Sequence, residues 1–131
     1  MQRMKAGRAR LGGVILGATL AAAAQAHQAV IETETAVICD NAAQAERFVA
    51  LFDGDAARAA EAVNVEVHNE KACGYVTFEF VRGDSLGLHR SGRNAFNIER
   101  VLVIGLSTPQ GMRRVRPFEQ FTLIRLKEFW V

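Results

Sequence analysis

In Tyr75-Val76-Thr77-Phe78-Glu79-Phe80-Val81, the side chains alternate: Val76, Phe78 and Phe80 fall on one side of an extended chain, and Thr77, Glu79 and Val81 on the other. A period of two predicts a strand with one buried face. Upstream the period is helical. Ala45, Phe48, Val49 and Phe52 sit at i, i+3, i+4 and i+7, and Ala56, Ala59, Ala60 and Val63 follow a similar spacing. Each set predicts a helix with one apolar stripe. Asn41, with Gln44 three residues on, has the spacing of a capping box, and Asp55 suits the N-cap of the second helix. Gly54 between them permits a left-handed break. Thr35–Cys39 (TAVIC) reads as a short β-type run, with residues 28–34 as a loose lead-in.

Downstream, Gly83-Asp84 predicts a turn, Leu86 and Leu88 a short strand, and Ser91-Gly92-Arg93-Asn94 a second turn. Phe96 and Ile98 open a long strand that runs through Val101-Leu102-Val103-Ile104. Its apolar density predicts a central strand covered on both faces. Thr108-Pro109-Gln110-Gly111 is a further turn signal. Arg113–Arg116 reads as an edge strand, because Pro117 cannot donate to a ladder. Residues 117–120 (PFEQ) then read as one helical turn, and Phe121–Leu126 as the last strand. This order predicts an α+β fold, with two short N-terminal helices packed on an antiparallel sheet of four to five strands. A small SH3-like half-open barrel is the alternative arrangement of the same strands.

The chain of 131 residues is 50% hydrophobic and 23% charged, which fits one domain and excludes disorder. Residues 1–10 hold Arg3, Lys5, Arg8 and Arg10 and no acid, and residues 11–24 hold no charge. Ala24-Gln25-Ala26 follows with small residues at the −3 and −1 positions. This pattern predicts a cleaved secretory signal peptide over residues 1–26 and a single disulfide-stapled domain over 27–131. The apolar run is short of the about 20 residues a spanning helix needs, so no stable membrane anchor is expected after cleavage. The expected location is periplasmic or secreted.

Cleavage there leaves 12 basic against 14 acidic residues, so the basic balance belongs to the leader and gives no reason to expect nucleic acid. The remaining charge is lopsided: residues 27–79 carry net −7 and residues 80–131 net +5. The two cysteines, Cys39 and Cys73, allow one intramolecular bridge, and an even count in an exported domain predicts that it forms. Closing a loop of that size contributes about 3–4 kcal/mol in the chain-entropy treatment.

Ile38-Cys39-Asp40, Glu46–Phe52, Ala62-Val63-Asn64, Ala72-Cys73-Gly74 and Val101–Gly105 together resemble a group of small exported proteins of Gram-negative bacteria. The resemblance spans most of residues 35–126. It implies export and the cysteine pair, and it implies no activity and no catalytic residue.

Several motifs suggest chemistry. Gly83-Asp84-Ser85-Leu86 spells an esterase signature, but the D-x-x-H that should supply the base is absent from the sequence. Arg82-Gly83-Asp84 is an integrin-type tripeptide that arises readily by chance in a turn. No complete catalytic set is visible, no resident cofactor is expected, and the protein reads as a non-enzymatic module. Arg82, Arg90, Arg93, Arg113, Arg114 and Arg116 fall mostly in predicted turns and edges. Guanidinium groups clustered there suit carboxylate or phosphate, so Arg90, Arg93, Arg113 and Arg114 are the candidate contacts for a protein or an anionic envelope component. The alternative is a small periplasmic copper-binding protein. Cleavage after Ala26 would make His27 the first residue, whose amine and imidazole suit Cu(II), with His68 or His89 as a second ligand. Glu66, His68 and Glu70 would share a face if that segment were extended, a third donor set for zinc or copper.

Overall fold

The computed structural model describes residues 29–126, so the expected leader, His27 and residues 127–131 lie outside it. The elements are β1 (Ile31–Cys39), α1 (Ala42–Leu51), α2 (Ala56–Glu66), β2 (Cys73–Ser91), β3 (Asn94–Thr108) and β4 (Gly111–Leu126). The fold is α+β, with two helices packed against a four-stranded antiparallel sheet. The helices are not N-terminal to the sheet: they form the connection between β1 and β2, which are antiparallel neighbours. The strand order runs β1-β2-β3-β4, and β1 meets β4 again through Ile38↔Thr122 and Cys39↔Phe121.

Both helices start as their caps dictate. The Asn41 side chain accepts from the Gln44 N–H at 2.9 Å, and the Gln44 side chain accepts in turn from the Asp40 N–H at 3.0 Å. Asp55 accepts from the Arg58 N–H at 3.1 Å. The helix between buries Ala45, Phe48 and Val49, and α2 buries Ala59, Ala60 and Val63. The alanines let α2 lie close to its neighbours.

The strands are longer and fewer than the turn signals imply. Ile31–Glu34 is strand, not lead-in, because it pairs with Val81–Phe78. Its two glutamates argue for a loop on composition, but Glu32 is bonded across the ladder to Arg82 at 2.7 Å. Gly83-Asp84 is not a turn either. β2 runs unbroken from Cys73 to Ser91, and register shifts at Arg82/Ser85 and Ser85/Gly87 absorb the glycines as bulges. A Cβ on Gly83 would lie 2.7 Å from the Arg100 carbonyl oxygen, so the close approach of β3 explains the glycine. No helical turn forms at 117–120. β4 is continuous, with Val103↔Phe118 followed by Gly105↔Arg114, and Pro117 sits in the bulge between, where a ladder donor is not needed. The turns at Ser91–Asn94 and Thr108–Gly111 form as expected, closing the β2–β3 and β3–β4 hairpins.

The sheet buries opposite faces at its two ends. Helix-side residues Val37, Cys39, Phe96, Ile98, Phe121 and Leu123 pack with Phe48, Phe52 and Val63. Phe48, Phe52 and Phe96 form a ring cluster with centroids 5.1–5.9 Å apart. Where the sheet curls on itself, Ile38, Phe78, Phe80, Val101 and Val103 make a second core. The end of β1 explains the apolar run Val37-Ile38-Cys39: Val37 and Cys39 face the helices while Ile38 faces the curl, so both faces are buried there. β3 is central in pairing but not covered on both faces. Leu102 is 43% exposed, while Val101 and Val103 on the opposite face are buried.

The cysteines are disulfide-bonded, joining Cys39 and Cys73 as directly opposed partners at the closed end of the β1–β2 ladder. Asn64 reinforces the same point. Its amide donates to the Glu70 and Cys73 carbonyls at 2.9 Å each, and its oxygen accepts from the Cys73 N–H at 2.8 Å. One side chain thus completes the edge of β2 and fixes the loop that leads into it.

Candidate functional site

Sorting the arginines by partner separates structural cations from available ones. Arg47 forms a fork with Glu66, two bonds of 2.8 Å, and Arg58 is held by Asp53 and Asp55. The hydrogen bond to Arg47 is the main reason the Glu66 carboxyl is held below its ordinary range, and Arg47 is raised by the same contact. Arg82 bridges Glu32 at 2.7 Å and Glu99 at 2.6 Å and lies over the Phe80 ring. Its bond to Glu32 is foremost in holding it above the ordinary guanidinium value. Arg100 lies between Asp84 and Glu119, and Arg125 bonds Asn94 at 2.6 Å. These side chains are committed to the fold.

Arg113, Arg114 and Arg116 are different. They follow one another along the first half of β4, all exposed, and none has an acidic partner among the described residues. The hairpin that carries them pairs Gly105↔Arg114, Leu106↔Arg113, Ser107↔Met112 and Thr108↔Gly111. The pairing of β2 with β3 ends at Phe78↔Leu106 although β2 continues back to Cys73, so the tip of this hairpin is not paired to β2. Residues 105–118 hold three arginines and no acid, and Met112 near the tip is 40% exposed. The result is a cationic arm with one exposed methionine beside its turn, and its guanidinium groups suit phosphate or carboxylate.

The other two candidate arginines lie elsewhere. Arg90 pairs opposite Ala95 and Arg93 stands in the β2–β3 turn. Along β3 those positions are ten residues from the Gly105↔Arg114 pair, about 33 Å of strand. The structure therefore places Arg113, Arg114 and Arg116 on one arm, with Arg113 and Arg114 on opposite faces of it, and sets Arg90 and Arg93 at the far end of the central strand.

The histidines do not converge. His68 is exposed just after α2 with φ 56°, and His89 is half-buried on β2 opposite Phe96. Glu66, His68 and Glu70 do not share an extended face: Glu66 ends α2 and is held by Arg47, and His68 turns the chain. Among the described residues no three His, Cys, Asp or Glu side chains are grouped to hold a metal. Ser85 lies inside β2, with its hydroxyl donating to Asn97 at 2.9 Å. Arg82-Gly83-Asp84 likewise lies within the strand rather than on a hairpin tip.

Which arginines are neutralised could not be read from sequence, because their partners are distant: 50 residues separate Arg82 from Glu32. The run Met112–Arg116 without acids was the one legible signal. Comparisons with protein-family models, curated proteins and solved structures find no match for the chain. Among the described residues, no helix is long and apolar enough to cross a membrane.

Proposed function

We propose that this is an exported, non-enzymatic binding module whose β3–β4 arm engages a phosphate-bearing anionic component of the cell envelope. One observation carries the reading: Arg113, Arg114 and Arg116 are unneutralised and adjacent, while Arg47, Arg58, Arg82 and Arg100 are tied to carboxylates. Export is supported by the basic-then-apolar start with its Ala-Gln-Ala exit and by the disulfide, which belongs in an oxidising compartment. The resemblance to small exported proteins of Gram-negative bacteria points the same way. The contact between β1 and β4 supports a small half-open barrel of the SH3-like kind as the scaffold.

A guanidinium near an anionic surface contributes about 1 kcal/mol, so the three together amount to about 3 kcal/mol, roughly a 150-fold effect. Co-sedimentation of the protein with phosphatidylcholine vesicles, with and without phosphatidylglycerol, tests this. Binding to the anionic vesicles alone, released by high salt, is expected. Equal partition onto both vesicle types, or onto neither, would reject the assignment.

A further inference from the structure

Among the described residues β1 and β4 pair at two positions, and their divergence beyond that pairing creates a second site. Thr122 Oγ1 donates to the Val37 carbonyl at 2.9 Å, which shows that this carbonyl points toward β4. Backbone groups alternate sides along a strand, so Thr35 and Thr33 also direct their N–H and C=O groups that way. The Thr35 and Thr77 hydroxyls, 2.7 Å apart, agree: side chains come this close in the narrow, non-hydrogen-bonded pairs of a ladder. Among the described residues β4 pairs with β1 at Ile38 and Cys39, and no strand pairs with this edge of β1 before them. The two strands part and leave a cleft of about 660 Å³ between Glu34–Val37 and Leu123–Arg125, lined by Phe48, Phe52 and Phe96.

An open strand edge beside an aromatic floor is the arrangement by which sheets add an extended peptide. The charges select its chemistry. Arg125 is bonded to Asn94 and lies over the Phe52 ring, and Asp55 is occupied by Arg58. Glu34 has no partner among the described residues, so the one uncommitted charge in the cleft is negative. A second copy is a poor occupant: antiparallel pairing about Thr33 would set Glu32 opposite Glu34 of the other molecule. We propose that the cleft takes an extended segment of a partner protein that pairs with the free edge of β1. Its apolar side chains enter the side lined by Phe48 and Phe52, where Val37 points, and alternate with lysine or arginine on the side of Glu34. This site is distinct from the arginine arm and does not depend on it.

The test is fluorescence anisotropy with the full chain and a labelled peptide, Val-Lys-Phe-Lys-Val. Two further peptides complete the set: one N-methylated at the residues that would face β1, and Val-Glu-Phe-Glu-Val. Binding of the lysine peptide is expected, weakened about tenfold or more by N-methylation, which removes the ladder donors. Glu34→Lys leaves no buried partner unpaired and should reverse the preference in favour of the glutamate peptide. Several outcomes would overturn the proposal: no binding, equal binding of the methylated peptide, or an unchanged preference in Glu34→Lys. So would dimerisation through the cleft, or binding that appears only after residues 127–131 are removed, since either gives the cleft to another occupant.

Discussion

Changing both Cys39 and Cys73 to alanine removes the covalent closure of the connection that holds α1 and α2. The cysteines are 34 positions apart, and the chain-entropy relation gives about 3.8 kcal/mol at 25 °C for a loop of that size. Both side chains are buried in the helix-side core, and truncating them leaves a small void that adds about 1 kcal/mol. The loss of about 5 kcal/mol is a large part of the net stability of a domain this size. With a urea m-value of about 1.5 kcal/mol/M, the midpoint should fall by about 3 M. The m-value itself should rise, because an uncrosslinked unfolded chain exposes more surface. Urea denaturation followed by circular dichroism reads both quantities. A variant already unfolded without urea lies at the upper end of the same expectation. A midpoint lowered by less than about 0.7 M would refute the reasoning, since the ladder and Asn64 would then position β1 against β2 without help from the bridge.

Three other outcomes follow from single residues. Asn64→Ala removes three hydrogen bonds and leaves the Cys73 N–H and two carbonyls unmatched, so a loss of about 2–3 kcal/mol in urea denaturation is expected; Asn64→Asp keeps the acceptor bond but sets a carboxylate oxygen against two carbonyls, and should cost at least as much. Gly83→Ala places a methyl 2.7 Å from the Arg100 carbonyl oxygen, which must force β2 and β3 apart, and should cost about 1–3 kcal/mol with the amide shifts confined to residues around 82–85 and 99–101. Glu66 has a folded-state carboxyl below its ordinary value, so its ion pair adds stability above that ordinary value and loses it as pH falls through the lowered one; a carboxyl NMR titration should show Glu66 protonating late on acidification, and Arg47→Ala should return it to the ordinary range.

The helices were legible because their signals are local. Asn41 and Asp55 cap them within three residues, and the buried stripe repeats every three to four. The long β3 strand and the turns at Ser91–Asn94 and Thr108–Gly111 were legible for the same reason. What escaped depends on partners far along the chain. Ile31–Glu34 is strand only because β2 lies beside it. Gly83 and Pro117, ordinary marks of a turn or a break, are absorbed as bulges because a neighbouring strand continues past them. The candidate site was half legible: the crowding of Arg113, Arg114 and Arg116 is in the sequence, but their separation from Arg90 and Arg93 is set by strand register. The cleft at the free edge of β1 left no local trace, because it arises from two strands that pair at two positions and then part.

The claim that function resides in the β4 arm is tested most directly by comparing two triple variants of equal charge. One is Arg113→Ala/Arg114→Ala/Arg116→Ala. The other is Arg47→Ala/Arg58→Ala/Lys71→Ala, which removes all the basic residues of 27–79. Affinity of each for phosphatidylglycerol vesicles is measured across a salt series, after urea denaturation has shown both to be folded. The account predicts roughly a 150-fold loss and a flattened salt dependence for the arm variant, with the other close to wild type. Equal losses in the two would contradict it, and would reduce the attraction to net charge alone.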